Sequence, residues 1–256
     1  MPVITPDIRA LDTVVCIGDS LTSPNAGNGV SWYPYLEALL RPSFPGGGAP
    51  GGGVPAPGYL SWYRGPRFIN FGNAGDTTTA ILARLSAVYA ANPTGAILLA
   101  EDNDVTSGVT VATSTSNITA IVAGLRANCP QLRWVMLVQG PCVGELRPFG
   151  SNSNDTNPPA ADDDHTLVAH DAVIRSLAAS LSTGLCEFRT DAAGNGPWLT
   201  YETTYNIPNG PFFYITTDGR HLTGEVGHPV YPPSAGIGGG PFVAQQVLAN
   251  CTVVAG

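Results

Sequence analysis

Short apolar runs alternate with amphipathic segments along most of the chain. Continuous apolar runs are typical of strands covered on both faces, whereas apolar residues three and four positions apart indicate helices. The apolar runs lie at 14–17, 68–71, 96–100, 134–138 and 185–188. The segments with helical spacing lie at 31–41, 77–91, 116–128, 166–181 and about 241–249.

This alternation predicts an α/β fold with a parallel sheet. Repeated strand–helix units imply right-handed crossovers and helices on both faces of the sheet. The 256 residues are enough for one α/β domain with a large core, and neither an internal repeat nor a linker divides them. We therefore expect a single domain over residues 1–256. Its long loops are predicted at about 42–66, 140–161 and 190–217, where Gly, Pro and Asn interrupt the pattern.

The charge of the chain restricts its partners. Charged residues make up 12% of the sequence, about half the usual ~25%, and the net charge is −8. Nucleic acids and anionic membranes are bound by clustered basic side chains, whereas the 11 Lys and Arg residues here are scattered. The N-terminus lacks the features of a signal peptide, and no apolar run is long enough to span a bilayer. We therefore expect a soluble protein with no nucleic-acid partner and no membrane span.

The cysteines favour neither a zinc site nor a full disulfide framework, because they are odd in number and form no CxxC pair. They are Cys16, Cys129, Cys142, Cys186 and Cys251. The first and fourth lie inside apolar runs and are interpreted as small buried residues. The sequence leaves open whether two of the other three form a disulfide.

The first predicted strand leads directly into a small turn that contains Ser20. In an open parallel sheet, reactive groups gather beyond the carboxyl ends of the strands, and Gly18 allows the backbone to turn tightly there. Ser20 is thus a candidate nucleophile. The alternative is that Ser20 caps a following helix, as serines near the end of a strand often do.

A serine nucleophile needs a base, because a neutral hydroxyl is a poor nucleophile near pH 7. His221 is the best candidate, since Asp218 can accept a hydrogen bond from its other ring nitrogen and stabilise the imidazolium. Candidate donors to a developing oxyanion are the backbone amides of Ser20 and Gly75 and the side-chain amide of Asn103. Surface or structural roles are expected for the remaining histidines, which are His165, His170 and His228.

These residues resemble a known family. Gly18-Asp19-Ser20-Leu21, the Gly75 turn, Asn103-Asp104, and Asp218 with His221 look like the four sequence blocks of the SGNH hydrolases, also called GDSL esterases or lipases. The blocks occur in family order and span nearly the whole chain. The resemblance implies a flavodoxin-like three-layer α/β/α sandwich with a five-stranded parallel sheet. It also implies a serine esterase that works without metal or cofactor.

Carried over position by position, the resemblance implies that Ser20 is both nucleophile and oxyanion donor. Gly75 and Asn103 would complete the oxyanion hole, and Asp218 and His221 would be the other members of the triad.

One position departs from the family pattern. The family usually has Gly two residues before the third-block Asn, and Glu101 stands there instead. If the backbone at this position had to adopt a positive φ, Glu would destabilise it by about 1 kcal/mol or more, and the turn that carries Asn103 would differ in shape. With Asp102 and Asp104, Glu101 concentrates negative charge, which we expect to disfavour anionic acyl groups. The alternative is that Glu101 and Asp102 point to solvent. Their adjacency lacks the spacing of a cation-binding loop, so we expect no metal.

Two other functional classes compete with an esterase. The segment from Gly18 to Gly29 could be the phosphate-binding loop of a flavodoxin-like cofactor-binding protein, although the acidic composition and the absence of a nearby lysine argue against it. The chain could also be an inactive SGNH-like binding or structural module, but such drift would be expected to remove at least one of the five site residues.

For an esterase, the absence of an evident lid-like amphipathic helix favours short acyl groups over long-chain lipids. The predicted substrate is therefore a small-molecule or carbohydrate ester. The aromatic residues of the long loops are consistent with acetylated carbohydrate, or simply with packing of the loops.

Overall fold

The computed structural model describes residues 2–23, 31–44, 65–140, 167–188 and 239–254. In chain order, its strands are β1 (Asp7–Arg9), β2 (Thr13–Gly18), β3 (Arg67–Gly72), β4 (Gly95–Leu99), β5 (Trp134–Val138), β6 (Gly184–Cys186) and β7 (Thr252–Val254). Its helices are α1 (Tyr33–Leu40), α2 (Thr78–Ala83), α3 (Leu85–Ala90), α4 (Asp102–Thr106), α5 (Val111–Asn128), α6 (Leu167–Leu181) and α7 (Gly239–Ala249). A 3-10 turn, Arg41–Ser43, follows α1.

Five strands form a parallel sheet in the order β3-β2-β4-β5-β6. The first strand of this sheet along the chain lies between the second and the third, which is the flavodoxin-like order. Strand β2 directs Val14 and Cys16 to one face and Val15 and Ile17 to the other, and all four are fully buried. Both faces are therefore covered, as the continuous apolar runs predicted.

Two hydrophobic cores lie on the two faces of the sheet. One core contains Leu36 of α1 and Phe242 and Val247 of α7. The other contains side chains of α2, α3, α5 and α6, among them Ile81 and Ile121. Helices on both faces make a three-layer α/β/α sandwich, so the predicted fold class is confirmed.

A second, two-stranded parallel sheet pairs the segments near the two ends of the described chain. Strand β1 pairs with β7, with Asp7 opposite Thr252 and Arg9 opposite Val254. The backbone N–H of Thr252 also donates to the carbonyl of Pro6 at 2.8 Å. The sequence pattern did not predict these two strands, which have three residues each.

Several element boundaries differ from the prediction. The helix expected over 77–91 is two helices separated at Arg84, and a short helix, α4, covers the acidic residues after β4. Helix α5 begins five residues earlier than predicted, and β6 ends two residues earlier. Residues 45–64, 141–161 and 190–217, which hold most of the three predicted loops, lie outside the described residues.

The described cysteines Cys16, Cys129, Cys186 and Cys251 are free thiols, so neither Cys129 nor Cys251 takes part in a disulfide. Burial raises the pKa of Cys251 to about 12 and also raises the pKa of the other three thiols. They therefore stay protonated at neutral pH, as buried structural cysteines do. None of the helices in the described ranges has the length and hydropathy needed to cross a membrane.

Candidate functional site

Three neighbouring strands of the sheet end at the same level. The register pairs Gly18 at the end of β2 with Gly72 at the end of β3 and with Leu99 at the end of β4. The candidate residues Ser20, Gly75 and Asn103 each follow one of these ends within four residues. The structure therefore brings all three to the carboxyl edge of the sheet, where open α/β folds bind their ligands.

The residues after β2 form a tight turn around Asp19. Its backbone carbonyl accepts the N–H groups of Thr22 at 3.2 Å and Ser23 at 2.9 Å, and its buried carboxylate accepts the N–H of Leu21 at 2.9 Å. Ser20 is half-buried within this turn. Residues 21–23 continue as a turn and a bend, not as a helix, so the interpretation of Ser20 as a helix cap is wrong.

This turn packs against the ends of the adjacent strands too closely for a side chain at Gly18. A Cβ atom there would lie 2.3 Å from the carbonyl oxygen of Leu99 and 2.3 Å from Oγ1 of Thr22. Close approach, rather than an unusual backbone angle, therefore requires glycine at this position. The position of the Ser20 turn is thus tied to the positions of the neighbouring strand ends.

The turn after β3 contains Gly75 in a left-handed conformation, with φ of +86°. Glycine adopts this angle without steric cost, whereas residues with a Cβ rarely do. The N–H of Asp76 donates to the carbonyl of Asn73 at 3.1 Å, and the Asn73 side-chain amide donates to the Asp76 carboxylate at 2.6 Å. The N–H of Asn73 donates in turn to the carbonyl of Gly18 at 3.0 Å. The Gly75 turn is therefore attached directly to the end of β2.

Helix α4 places Asn103 beside that turn. The buried Asn103 amide donates through Nδ2 to the backbone carbonyl of Asp76 at 3.1 Å. The next residue, Asp104, is fully buried and accepts two hydrogen bonds from Thr78, one from its N–H at 2.8 Å and one from its hydroxyl at 2.6 Å. These contacts hold α4 against the beginning of α2, so the second and third candidate turns are fixed to each other.

The structure adds one residue that the sequence analysis missed. Arg84 lies at the break between α2 and α3, and its guanidinium donates to the carbonyl of Phe71 at 2.7 Å and to that of Gly18 at 3.0 Å. Its Nε also forms an ion pair with Asp76. A signal existed in the sequence, because Arg84 is the only charged residue between Asp76 and Glu101.

Glu101 does not have the backbone strain that a positive φ at this position would have caused. Its φ is −145°, so this position does not require a left-handed backbone. Its side chain is 1% exposed, so the alternative that Glu101 points to solvent is wrong. The side chain of Asp102 lies outside the described set. The Asp104 carboxylate is engaged by Thr78.

Asp218 and His221 lie outside the described residues, and their roles stay predictions. The same holds for His165 and His228, while His170 is fully buried within α6. Among the side chains that the structure describes, no group of three or more His, Cys, Asp or Glu residues is arranged to hold a metal ion.

Comparison with solved structures identifies proteins that share this fold. An acetylxylan esterase, Axe2, from Geobacillus stearothermophilus has a TM-score of 0.60 and 16% identity, with 95% of each chain covered. TesA has a TM-score of 0.55 and 19% identity, covering 93% of this chain and 97% of its own. The lipase/acylhydrolase from Enterococcus faecalis has a TM-score of 0.54 and 17% identity, covering 83% and 88%. Two variants of Axe2 are described as catalytic mutants, one at an aspartate and one at a histidine three positions later.

The sequence itself matches a family model. No curated protein sequence matches the chain, but the model of the GDSL-like lipase/acylhydrolase family matches residues 16–207. The matched range begins within β2 and includes the turns that carry Ser20, Gly75 and Asn103. Because this match covers well over half of the chain, the protein belongs to the GDSL-like lipase/acylhydrolase family and is a carboxylic ester hydrolase.

Proposed function

We propose that the protein is a serine esterase that hydrolyses short-chain carboxylic esters through an acyl-enzyme intermediate on Ser20. One observation carries this proposal: β2, β3 and β4 end in register, so that the Ser20 turn lies beside the turns of Gly75 and Asn103. Acyl transfer needs a nucleophile and oxyanion donors around one carbonyl group. The carboxyl edge of the sheet brings together the residues that we propose for both roles.

In the proposed reaction, Oγ of Ser20 attacks the ester carbonyl while His221 accepts the hydroxyl proton. Asp218 orients the imidazole and stabilises its protonated form. The oxyanion accepts hydrogen bonds from the N–H groups of Ser20 and Gly75 and from the Asn103 amide. The alcohol then leaves with the proton from His221. A water molecule, deprotonated by the same imidazole, then attacks the acyl-enzyme. The imidazolium returns this proton to Oγ of Ser20 as the bond to the acyl group breaks and the acid is released.

The assignment of Asp218 and His221 has two supports. Asp218 and His221 are three positions apart, a spacing at which a carboxylate and an imidazole can approach each other. The two catalytic mutants of Axe2 likewise replace an aspartate and a histidine that are three positions apart.

For the substrate, we propose neutral esters with small acyl groups, and acetylated carbohydrate as one such class. The fold is shared with an acetylxylan esterase, and the predicted long loops contain several aromatic residues that could stack on sugar rings.

Covalent labelling tests the nucleophile. A fluorophosphonate probe should form one adduct per chain, and peptide mass spectrometry should locate this adduct on Ser20. Ser20→Ala should abolish both labelling and ester hydrolysis. Ser86→Ala, which removes an exposed hydroxyl on α3, is the matched control and should leave both unchanged. Persistent hydrolysis by purified Ser20→Ala would show that another group is the nucleophile.

A panel of 4-nitrophenyl esters of increasing acyl length tests the substrate class. We expect kcat/KM to be highest for acetate and butyrate and to fall with longer chains. Acetate release from acetylated xylan should be seen with the wild-type protein and lost in Ser20→Ala. A maximum at long acyl chains would contradict the short-chain proposal.

A further inference from the structure

Arg84 holds together the elements that carry the candidate site. The backbone leaves the helical conformation there, with φ of −111° and ψ of 12°, so that α2 ends and α3 begins. From this break the guanidinium contacts the last residue of β2, the penultimate residue of β3 and the turn that follows β3. One side chain thus joins the end of β2 to the end of β3 and the turn after it, which lie far from β2 along the chain.

The acceptors of Arg84 lie next to the proposed oxyanion donors. The Gly18 carbonyl, which accepts Nη2 at 3.0 Å, lies two residues before Ser20. Asp76, which pairs with Nε, directly follows Gly75, and its own backbone carbonyl accepts the Asn103 amide. Each of the three turns therefore lies within two residues, or one hydrogen bond, of a residue that contacts Arg84.

The chemistry of the guanidinium suits this role. Its N–H groups lie in one rigid plane, so three acceptors bound at once are held in a fixed relative geometry. The Arg84 side chain is 28% exposed and that of Asp76 is 11% exposed, so water and salt screen this pair less than a pair on the open surface. A lysine ammonium cannot reproduce this planar arrangement.

We propose that Arg84 is a positioning residue for ester hydrolysis, which acts through Asp76 and the Gly18 carbonyl to fix the N–H of Gly75 relative to Ser20. This inference rests on the proposed function of Ser20. Donors to an oxyanion act mainly in the transition state, so their displacement lowers kcat more than it changes KM. A misplacement of about 1 Å can cost about 10²-fold in rate.

Three single variants test the proposal. Arg84→Gln should lower kcat for 4-nitrophenyl acetate by about 10²-fold, with KM changed by less than roughly 3-fold. Arg84→Lys keeps the charge but not the planar fork, so its kcat should lie between those of Arg84→Gln and the wild type. Arg126→Gln is the matched control, because Arg126 is exposed on α5 and donates to the backbone carbonyl of Ser182. Its kinetics should equal those of the wild type.

A double-variant cycle separates positioning from a general loss of stability. Asp76→Asn and Arg84→Gln interrupt the same contact, so the double variant should lose little more kcat than Arg84→Gln alone. All rates are compared at a temperature at which circular dichroism shows each variant fully folded. If Arg84→Gln does not fold, Arg84→Lys decides the question, and wild-type kcat in that variant overturns the proposal.

The rate of fluorophosphonate labelling makes the two hypotheses distinguishable. Failure of the wild-type protein to label at Ser20 overturns the proposed function and this inference with it. Normal labelling of the wild type together with slowed labelling of Arg84→Gln supports both. Labelling of Arg84→Gln at the wild-type rate, with kcat also unchanged, overturns the positioning role alone.

Discussion

Asp12 is the centre of a polar network at the edge of the sheet opposite to the candidate site. Its carboxylate accepts two hydrogen bonds from the Arg133 guanidinium, at 2.9 and 2.8 Å, one from the N–H of Arg9 at 2.8 Å and one from the hydroxyl of Thr94 at 2.9 Å. Asp12, Thr94 and Arg133 each immediately precede a strand of the central sheet. We predict that Asp12→Asn lowers the free energy of unfolding without changing kcat.

The expected loss follows from the burial of this carboxylate, which is 4% exposed. Breaking a buried ion pair costs about 3–5 kcal/mol, because one charged group is left without its partner. Arg133 is 31% exposed and regains some hydration, and Asn keeps the size of the side chain and one acceptor oxygen. We therefore expect a loss of about 3 kcal/mol, at the lower end of that range. With a slope of about 3 kcal/mol per M, the urea midpoint falls by about 1 M.

The pH dependence gives an independent check. Burial by itself raises the pKa of Asp12, but the hydrogen bonds from Arg133, Arg9 and Thr94 and the Arg133 charge outweigh it, so the net pKa lies below the usual 3.8. A carboxyl group with a lowered pKa in the folded state stabilises the fold above its unfolded pKa. That contribution is lost as the pH falls through the folded pKa. The difference between wild type and Asp12→Asn should be constant above about pH 5 and shrink below about pH 4.

Urea unfolding, followed by tryptophan fluorescence at a series of pH values, measures this difference. Asp7→Asn is the matched control. Its carboxylate is 28% exposed and pairs with Arg9 and, at 3.4 Å, with Arg133, and a surface pair contributes about 0–1 kcal/mol. A loss of stability in Asp12→Asn no greater than that in Asp7→Asn would refute the stabilising role of the buried Asp12 carboxylate. A stability difference that stays the same from pH 7 to pH 3 would equally refute it.

Three further predictions concern the site. Gly75→Ala and Gly108→Ala replace glycines with φ of +86° and +67° and no atom within 4 Å of the new Cβ, so each should cost about 1–2 kcal/mol in a urea titration. Only Gly75→Ala should lower kcat, and equal activity in both variants would contradict the proposed role of the Gly75 N–H. Gly18→Ala should lower the melting temperature, since its Cβ would lie 2.3 Å from a backbone oxygen and overpacking costs about 1–3 kcal/mol; an unchanged calorimetric transition would contradict this. Finally, a neutral acetate ester should be hydrolysed with a higher kcat/KM than a matched succinyl half-ester, because Glu101 is buried directly after β4, and similar values would count against that reasoning.

The central strands could be predicted because each is a continuous apolar run that is buried on both faces. The boundaries of β5 agree with the prediction at both ends. Helix α5 was predicted to begin too late, since residues 111–116 contain Thr and Ser, which are weak helix formers. In the structure Thr110 caps the helix, and the hydroxyls of Thr115 and Ser116 donate to carbonyls four residues earlier. The Thr110 cap, which accepts the N–H of Thr113, stabilises the start of the helix but does not appear in a hydrophobic pattern.

The candidate site was predictable to the extent that it depends on the order of strands. Parallel strands that are adjacent in the sheet place Ser20, Gly75 and Asn103 at one edge, whatever the details of the turns. The contacts of Arg84 were not predictable, because they depend on a break in a segment with unbroken helical spacing. The backbone conformation at Glu101 depends likewise on α4, whose five residues are too few to give a periodic signal.

The pairing of β1 with β7 also has a mechanical consequence. The two strands are parallel, so a pulling force applied before Asp7 and after Val254 would slide one strand along the other. In that geometry all inter-strand hydrogen bonds bear the load together, whereas strands that are peeled apart lose their bonds one at a time. Under tension along this direction, the small sheet would act as a shear clamp that must rupture before the force reaches the five-stranded sheet.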